Sequence, residues 1–137
     1  MINQLTQEQI KWLKSMNITN YEYDSNRGLV NVDGDVDISY KNLTSIPIQF
    51  GYVGGYFDCG NNNLTTLQGG PREVGGDFYC GYNNLTTLQG SPREVGGDFD
   101  CINNNFKTEP DHSFIDIGKR FVYSVNNFIL GENYEDN

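Results

Sequence analysis

Basic residues are scarce in this chain: nine lysines and arginines stand against 18 aspartates and glutamates among 137 residues, a formal net charge of −9. Binding nucleic acid through its phosphates needs a basic surface, as does adhesion to anionic membranes, so neither is expected. Histidine is nearly missing as well. The single example, His112, sits in Glu109-Pro-Asp-His112 with no nucleophile paired to it, so it reads as a solvated loop residue and points to no catalytic site. Long apolar runs are absent too. None approaches the ~20 residues of a membrane span, and the N-terminus lacks the charged-then-apolar pattern of a signal peptide. A cytoplasmic protein without enzymatic activity is expected. No metal or other cofactor is expected, since the aspartates follow no calcium-loop pattern.

Cysteine is limited to Cys59, Cys80 and Cys101, spaced by 21 residues each. An odd number at one repeat position is neither a disulfide framework nor a zinc site, where closely paired ligands occur. Free thiols in a reducing cytosol are expected, although stacked coils would also hold these residues at a separation compatible with a disulfide.

What the chain does have is repetition. Residues 53–73 read VGGYFDCGNNNLTTLQGGPRE and residues 74–94 read VGGDFYCGYNNLTTLQGSPRE, identical at 17 of 21 positions. A fixed period of this length builds a stack of small units. The period extends upstream in weaker form, with Val36, Ile38, Leu43 and Ile46 in place of Phe57, Cys59, Leu64 and Leu67. Downstream, VGGDFDCINNNF opens another unit at Val95. After one inserted residue, GKRFVYSVNNF (118–128) matches GGDFDCINNNF (96–106). Five coils are expected, starting at about residues 32, 53, 74, 95 and 117, in a solenoid of residues 32–128 that forms one domain with the segments on either side.

Within each coil Phe57 and Cys59 alternate along a short strand and point inward, while Tyr56, Asp58 and Gly60 point outward. Leu64 and Leu67 return to the interior. Asn62, Asn83, Asn104 and Asn126 are expected at the bend, their amides satisfying backbone groups of neighbouring coils. Lys41 takes this place in the first coil, so the ladder is expected to start at the second. The Gly pairs 54–55, 75–76 and 96–97 read as tight backbone before each strand.

Residues 1–31 differ. Thr6-Gln7-Glu8-Gln9 is a capping box, with Leu5 and Ile10 as its hydrophobic staple. It opens a helix over about Gln7–Met16 that turns Ile10, Leu13 and Met16 to one face. Tyr21–Tyr23, a DSNRG turn and Leu29–Val32 then read as a β-hairpin. Together they are expected to cover the N-terminal end of the core. Residues 129–137 form an acidic tail. The apolar Phe128-Ile129-Leu130 before it leaves tail coverage or self-association through the C-terminal end both open.

The pattern Phe57-x-Cys59-x-x-Asn62-x-Leu64-x-x-Leu67 fits the L-x-L-x-x-N-x-L core of a leucine-rich repeat. The units VGGxFxCxNNNLTTLxGxPREV over residues 53–106 resemble the short leucine-rich-repeat proteins of tailed bacteriophages. The stretch GLVNVDGDVDISYKNLTSIPIQFG (28–51) is similar to the leader of such repeats. The resemblance implies an α+β leucine-rich-repeat solenoid that acts as a binding scaffold, in the host cytoplasm if phage-encoded. KTEPDHSFIDI after Phe106 departs from that pattern.

The two near-identical coils differ at Tyr56/Asp77, Asp58/Tyr79, Asn61/Tyr82 and Gly70/Ser91, while Gln68/Gln89, Arg72/Arg93 and Glu73/Glu94 are unchanged. Variation therefore concentrates on the strand face, expected to be concave. One column runs Asp35, Tyr56, Asp77, Asp98, Arg120 and the next Asp37, Asp58, Tyr79, Asp100, Val122. Neighbouring coils lie ~4.8 Å apart, so stacked carboxylates repel by about 1 kcal/mol even in water. With Tyr56, Tyr79 and Tyr82 as amphipathic anchors, this face is suited to a Lys/Arg-rich protein surface. The expected function is a module that docks a basic protein, such as a nucleic-acid-binding or defence protein of a host. A nucleic-acid mimic, a self-assembling structural component, and aspartates that merely keep strands soluble are the competing readings.

Overall fold

A computed structural model describes residues 4–127 and 131–136. The chain winds into a β-solenoid of about four turns, each turn giving one short strand to each of two parallel sheets. It opens with helix α1 (Gln7–Ser15) and the antiparallel pair β1 (Glu22–Asp24) and β2 (Leu29–Val32). The first sheet stacks β1 and β2 with β4 (Phe50–Val53), β6 (Glu73–Val74), β8 (Glu94–Val95) and β10 (Asp116–Ile117). The second stacks β3 (Val36–Asp37), β5 (Phe57–Asp58), β7 (Phe78–Tyr79), β9 (Phe99–Cys101), β11 (Phe121–Asn127) and β12 (Gly131–Asp136).

The first sheet was hidden in the sequence. Arg72, Glu73, Arg93 and Glu94 are expected on the side away from the strand face and carry no strand pattern of their own. Yet Val53, Val74 and Val95 are buried, and Glu73 and Val74 pair in register with Glu94 and Val95. Two-residue strands are too short to display an alternating pattern. The expected fifth coil begins and then stops: β10 joins β8, and Phe121 falls opposite Phe99, the register that one inserted residue demands. From there β11 runs for seven residues and pairs antiparallel with β12, where the sequence suggested a tail. Phe128-Ile129-Leu130, the proposed self-association end, lies outside the described residues.

Phenylalanines form the spine of the core. Phe50, Phe57, Phe78, Phe99 and Phe121 are fully buried and stack coil on coil, with successive ring centroids 4.9–5.8 Å apart. Cys59, Cys80 and Cys101 form a buried column beside them and are free thiols, so the disulfide alternative falls away. Burial pushes the Cys59 and Cys80 thiols well up, which keeps them protonated and unreactive.

Each coil bend is pinned by asparagine. Asn83 donates to the Cys59 and Cys80 carbonyls at 3.0 and 3.2 Å and accepts from the Leu64 N–H at 2.9 Å. Asn62 and Asn104 repeat this one coil below and above, with Asn62 accepting from Lys41 and Leu43 N–H groups. The ladder does begin at Asn62. It does not reach Asn126, which is exposed in β11 and donates to the Asn105 side chain instead. The antiparallel return replaces the bend there.

The capping box forms as expected, and Leu13 is buried, with Met16 and Trp12 partly so. Ile10 is not: it is 41% exposed and leaves the staple to Leu5. His112 also departs from its expected solvated loop. Its ring stacks on Phe121 at 3.8 Å, and Glu109 lies within 3.6 Å of its Nδ1 while accepting from the Tyr123 hydroxyl. The irregular segment 107–115 is thus a flap over the last core ring.

Candidate functional site on the outer face of the second sheet

The two predicted columns exist in register. Asp37 pairs with Asp58, Asp58 with Tyr79 and Tyr79 with Asp100, while Val122 follows Asp100. In the other column Asp35, Asp77 and Asp98 each accept the main-chain N–H of the next coil, from Tyr56 (2.9 Å), Asp98 (2.7 Å) and Arg120 (3.1 Å). All nine predicted residues, Asp35, Asp37, Tyr56, Asp58, Asp77, Tyr79, Tyr82, Asp98 and Asp100, lie on or beside this one strip.

The aspartates have local work to do that the sequence reading missed. Asp37, Asp58 and Asp100 accept the N–H two residues on, from Ser39, Gly60 and Ile102. Every carboxylate of both columns therefore satisfies backbone. In two of the three pairs the second Gly belongs to the same device: a methyl group on Gly55 or Gly97 would collide with the Asp35 or Asp77 carboxylate that caps the next coil, while one on Gly76, above Tyr56, would meet backbone of Gly55. An acidic strip alone is what this scaffold would carry anyway.

The tyrosines are different. Tyr56 and Tyr79 interrupt the two columns where an aspartate would cap backbone, and they meet edge-on with centroids 6.5 Å apart. The Tyr79 hydroxyl donates to Asp77 at 2.9 Å, and burial, that bond and the surrounding carboxylates push its pKa up to about 12. Tyr82 is 52% exposed and takes φ +57°; Tyr40, at the same position of the first coil, is 76% exposed with φ +56°. Asn61 and Asn103 hold this left-handed position in the other coils. Asparagine tolerates that conformation, whereas a bulky side chain is strained there. Tyr40 was overlooked because the first coil matches the repeat only weakly. Its signal was available, since it precedes Asn61 by one period.

Between these side chains lies a shallow groove of about 230 Å³ lined by Asp58, Asn61, Tyr79, Gly81, Tyr82, Asp100 and Ile102. Asp58 and Asp100 flank Tyr79 and are half-buried. Desolvation raises the pKa of both, for Asp58 with added repulsion from Asp37 and Asp100. Asp98 behaves oppositely: the hydrogen bond from the Arg120 side chain at 3.2 Å holds its carboxyl below the usual range. Arg120 thus neutralises one end of the strip and leaves the groove negative.

These shifts have signs that can be measured. A raised folded-state pKa means that Asp58 and Asp100 favour the fold below the ordinary carboxylate value and oppose it as pH rises through their folded values. Asp98 favours the fold above that ordinary value and loses its contribution as pH falls through its depressed one. Asp58→Asn/Asp100→Asn keeps both backbone acceptors and is expected to raise the melting temperature at pH 7 by about 2 °C, since solvent screening leaves roughly 0.5 kcal/mol. The gain should shrink toward pH 4; a melting curve at each pH checks it, and a lower melting temperature at pH 7 would contradict the assignment.

Among the described residues no group of histidine, cysteine and carboxylate side chains is arranged to hold a metal ion, and no helix is long and apolar enough to cross a membrane. Compared with models of protein families, with curated proteins and with solved structures, the chain matches none of them.

Proposed function

We propose that the chain is a non-enzymatic binding module that docks a basic protein on the outer face of the second sheet. The observation that carries this reading is the pair Tyr40 and Tyr82. Both place a large aromatic in the left-handed region, at a cost of order 1 kcal/mol each, and both leave it in solvent. Asparagine would fill the position without strain, as it does in the neighbouring coils. Packing covers only a quarter of Tyr40 and half of Tyr82, too little to explain a strained aromatic at both positions, so a partner is the reason to keep them.

The remaining chemistry of the strip fits a cationic partner. Guanidinium and ammonium groups stack on tyrosine and are attracted by uncompensated carboxylates. Asp58 and Asp100 lie two strand spacings apart, ~9.6 Å. That leaves room for one planar guanidinium over Tyr79 with a charge-assisted hydrogen bond of about 2.8 Å on either side. The finer reading is that the coils are leucine-rich repeats of the short type found in tailed bacteriophages, and that the module inhibits or modulates a host protein. It rests on the repeat core L-x-L-x-x-N-x-L and on the acidic strip. A nucleic-acid mimic would present the same charge, and duplex DNA competing for the captured partner separates that case.

Tyr82→Asn tests the argument directly. It is expected to stabilise the fold by about 0.5–1 kcal/mol by releasing left-handed strain and to weaken partner binding about tenfold or more, the size of effect typical of an interface aromatic. Chemical denaturation and binding are measured on the same preparations. A variant that is destabilised, or that binds as tightly as the wild type, removes the reading.

A further inference from the structure

We infer that the open edge of β3 binds an extended, lysine- or arginine-bearing segment of a partner protein as an added parallel or antiparallel strand. The two sheets end at four strands: β1 and β12, each paired antiparallel to its neighbour, and β3 and β10, each paired parallel. The second sheet ends at β3 on its N-terminal side, with no further strand there among the described residues. Val36, Ile38 and Tyr40 donate their N–H groups to Tyr56, Asp58 and Gly60 of the next coil at 2.9, 2.9 and 3.3 Å. Alternate residues of a strand turn their main chain to opposite sides. Asp35, Asp37 and Ser39 therefore turn theirs away from the sheet. The Ser39 N–H is taken by the Asp37 carboxylate, while the main-chain groups of Asp37 face outward.

What they face is a groove of about 440 Å³, walled by β3 on one side and by the connection Met16, Asn17, Ile18, Thr19 and Asn20 on the other. The ladder runs past the two residues of β3, since the N–H groups of Val36, Ile38 and Tyr40 all bond the next coil; five residues at a strand's rise span roughly 17 Å, enough to register a short strand. Strand addition draws affinity from main-chain hydrogen bonds and specificity from the side chains at the rim.

Charge selects the occupant. Asp35 and Asp37 are exposed at the rim, and Lys41 is the one cation among the lining residues. A second copy of the chain is disfavoured: net charge is −9, and the outermost strand β12 reads GENYED, with Glu132, Glu135 and Asp136. The inference rests on the basic character of the partner proposed above, but it uses main-chain recognition at the sheet edge and not the tyrosine-bearing strip.

The test uses the full chain, labelled with nitrogen-15, and a short amidated peptide alternating lysine and valine. Two further peptides carry N-methyl groups, one on every valine and the other on every lysine. Strand addition predicts shifts centred on the Asp37 amide, with slowed exchange of that amide. It also predicts that one N-methylated peptide binds about tenfold more weakly or worse while the other binds like the parent, because only one set of amides faces β3. Equal binding of all three peptides overturns the inference. Shifts confined to Tyr79, Tyr82 and Asp100 also overturn it, yet leave the docking strip standing. Shifts at neither place overturn it together with the cationic preference of the strip. Slowed exchange at Asp37 on raising protein concentration without peptide would assign the edge to self-pairing and overturn it too.

Discussion

Asn83→Ala is expected to cost roughly 1–3 kcal/mol of folding stability, because it strands the buried Leu64 N–H, the cost of one unpaired backbone group. The Leu64 N–H loses its acceptor at 2.9 Å, whereas the Cys59 carbonyl gives up one donor at 3.0 Å and keeps the Asn62 amide, also at 3.0 Å. Both lie inside the stack, where Asn83 itself is only 6% exposed and water cannot replace the amide. The loss falls on contacts between the second and third coils, so a quasi-one-dimensional stack should weaken at that joint. Denaturation by urea, with hydrogen exchange at Leu64 and Leu85, would locate it. Asn126→Ala is the internal control: among the described residues its side chain, exposed in β11, bonds the exposed side chain of Asn105, so a change of about 0.5 kcal/mol or less is expected. Equal effects at the two positions would mean that the asparagine ladder is not what joins the coils.

Asp58→Lys/Asp100→Lys is expected to weaken binding of a basic partner about a hundredfold at moderate salt, since like charges brought together across an interface cost several kcal/mol. The groove is where such a change acts most strongly. Its two carboxylates are half-buried and form no salt bridge among the described residues, Arg120 reaching Asp100 only at longer range, whereas Asp98 already holds Arg120 directly. Asp98→Lys should therefore do less than either groove substitution. Binding by the wild type should also fall steeply with salt, and the slope should flatten in the double variant. A partner that binds both proteins equally between low and moderate salt would not be recognising this strip.

Much of the scaffold could be read from the residues. The 21-residue period set the stacking, the alternation of Phe57 and Cys59 set the buried face, and Lys41 in place of asparagine set the start of the ladder. The helix and hairpin followed from capping and turn chemistry at Thr6 and Gly28. What escaped was everything shorter than a pattern. Strands of two residues such as Glu73–Val74 show no alternation, so the first sheet stayed invisible. The antiparallel return of β12 was masked by the composition of GENYED, which reads as tail.

The strip was located by the disagreements between two coils, and the structure changes how its residues are weighed. The aspartates looked like the functional signal because a scaffold seemed to have no use for stacked charge. Their carboxylates in fact cap backbone N–H groups, a role that depends on geometry and has no one-dimensional signature. The tyrosines looked secondary. Tyr40 and Tyr82 gain weight because a left-handed φ is a property of the folded coil and cannot be seen in a repeat alignment that offers Asn61 and Tyr82 as equivalents.

Paired affinity capture from a bacterial lysate at moderate salt is the most direct test, using wild type, Tyr82→Asn, Asp58→Lys/Asp100→Lys and, as the control, Arg72→Ala/Arg93→Ala, at positions just before β6 and β8 of the first sheet. The expected result is a basic protein recovered by the wild type and the control, depleted about tenfold or more by Tyr82→Asn and lost from the charge reversal, although Tyr82→Asn melts no lower than the wild type. Recovery of the same protein in equal amount by all four would show that the outer face of the second sheet is not where this chain meets its partner.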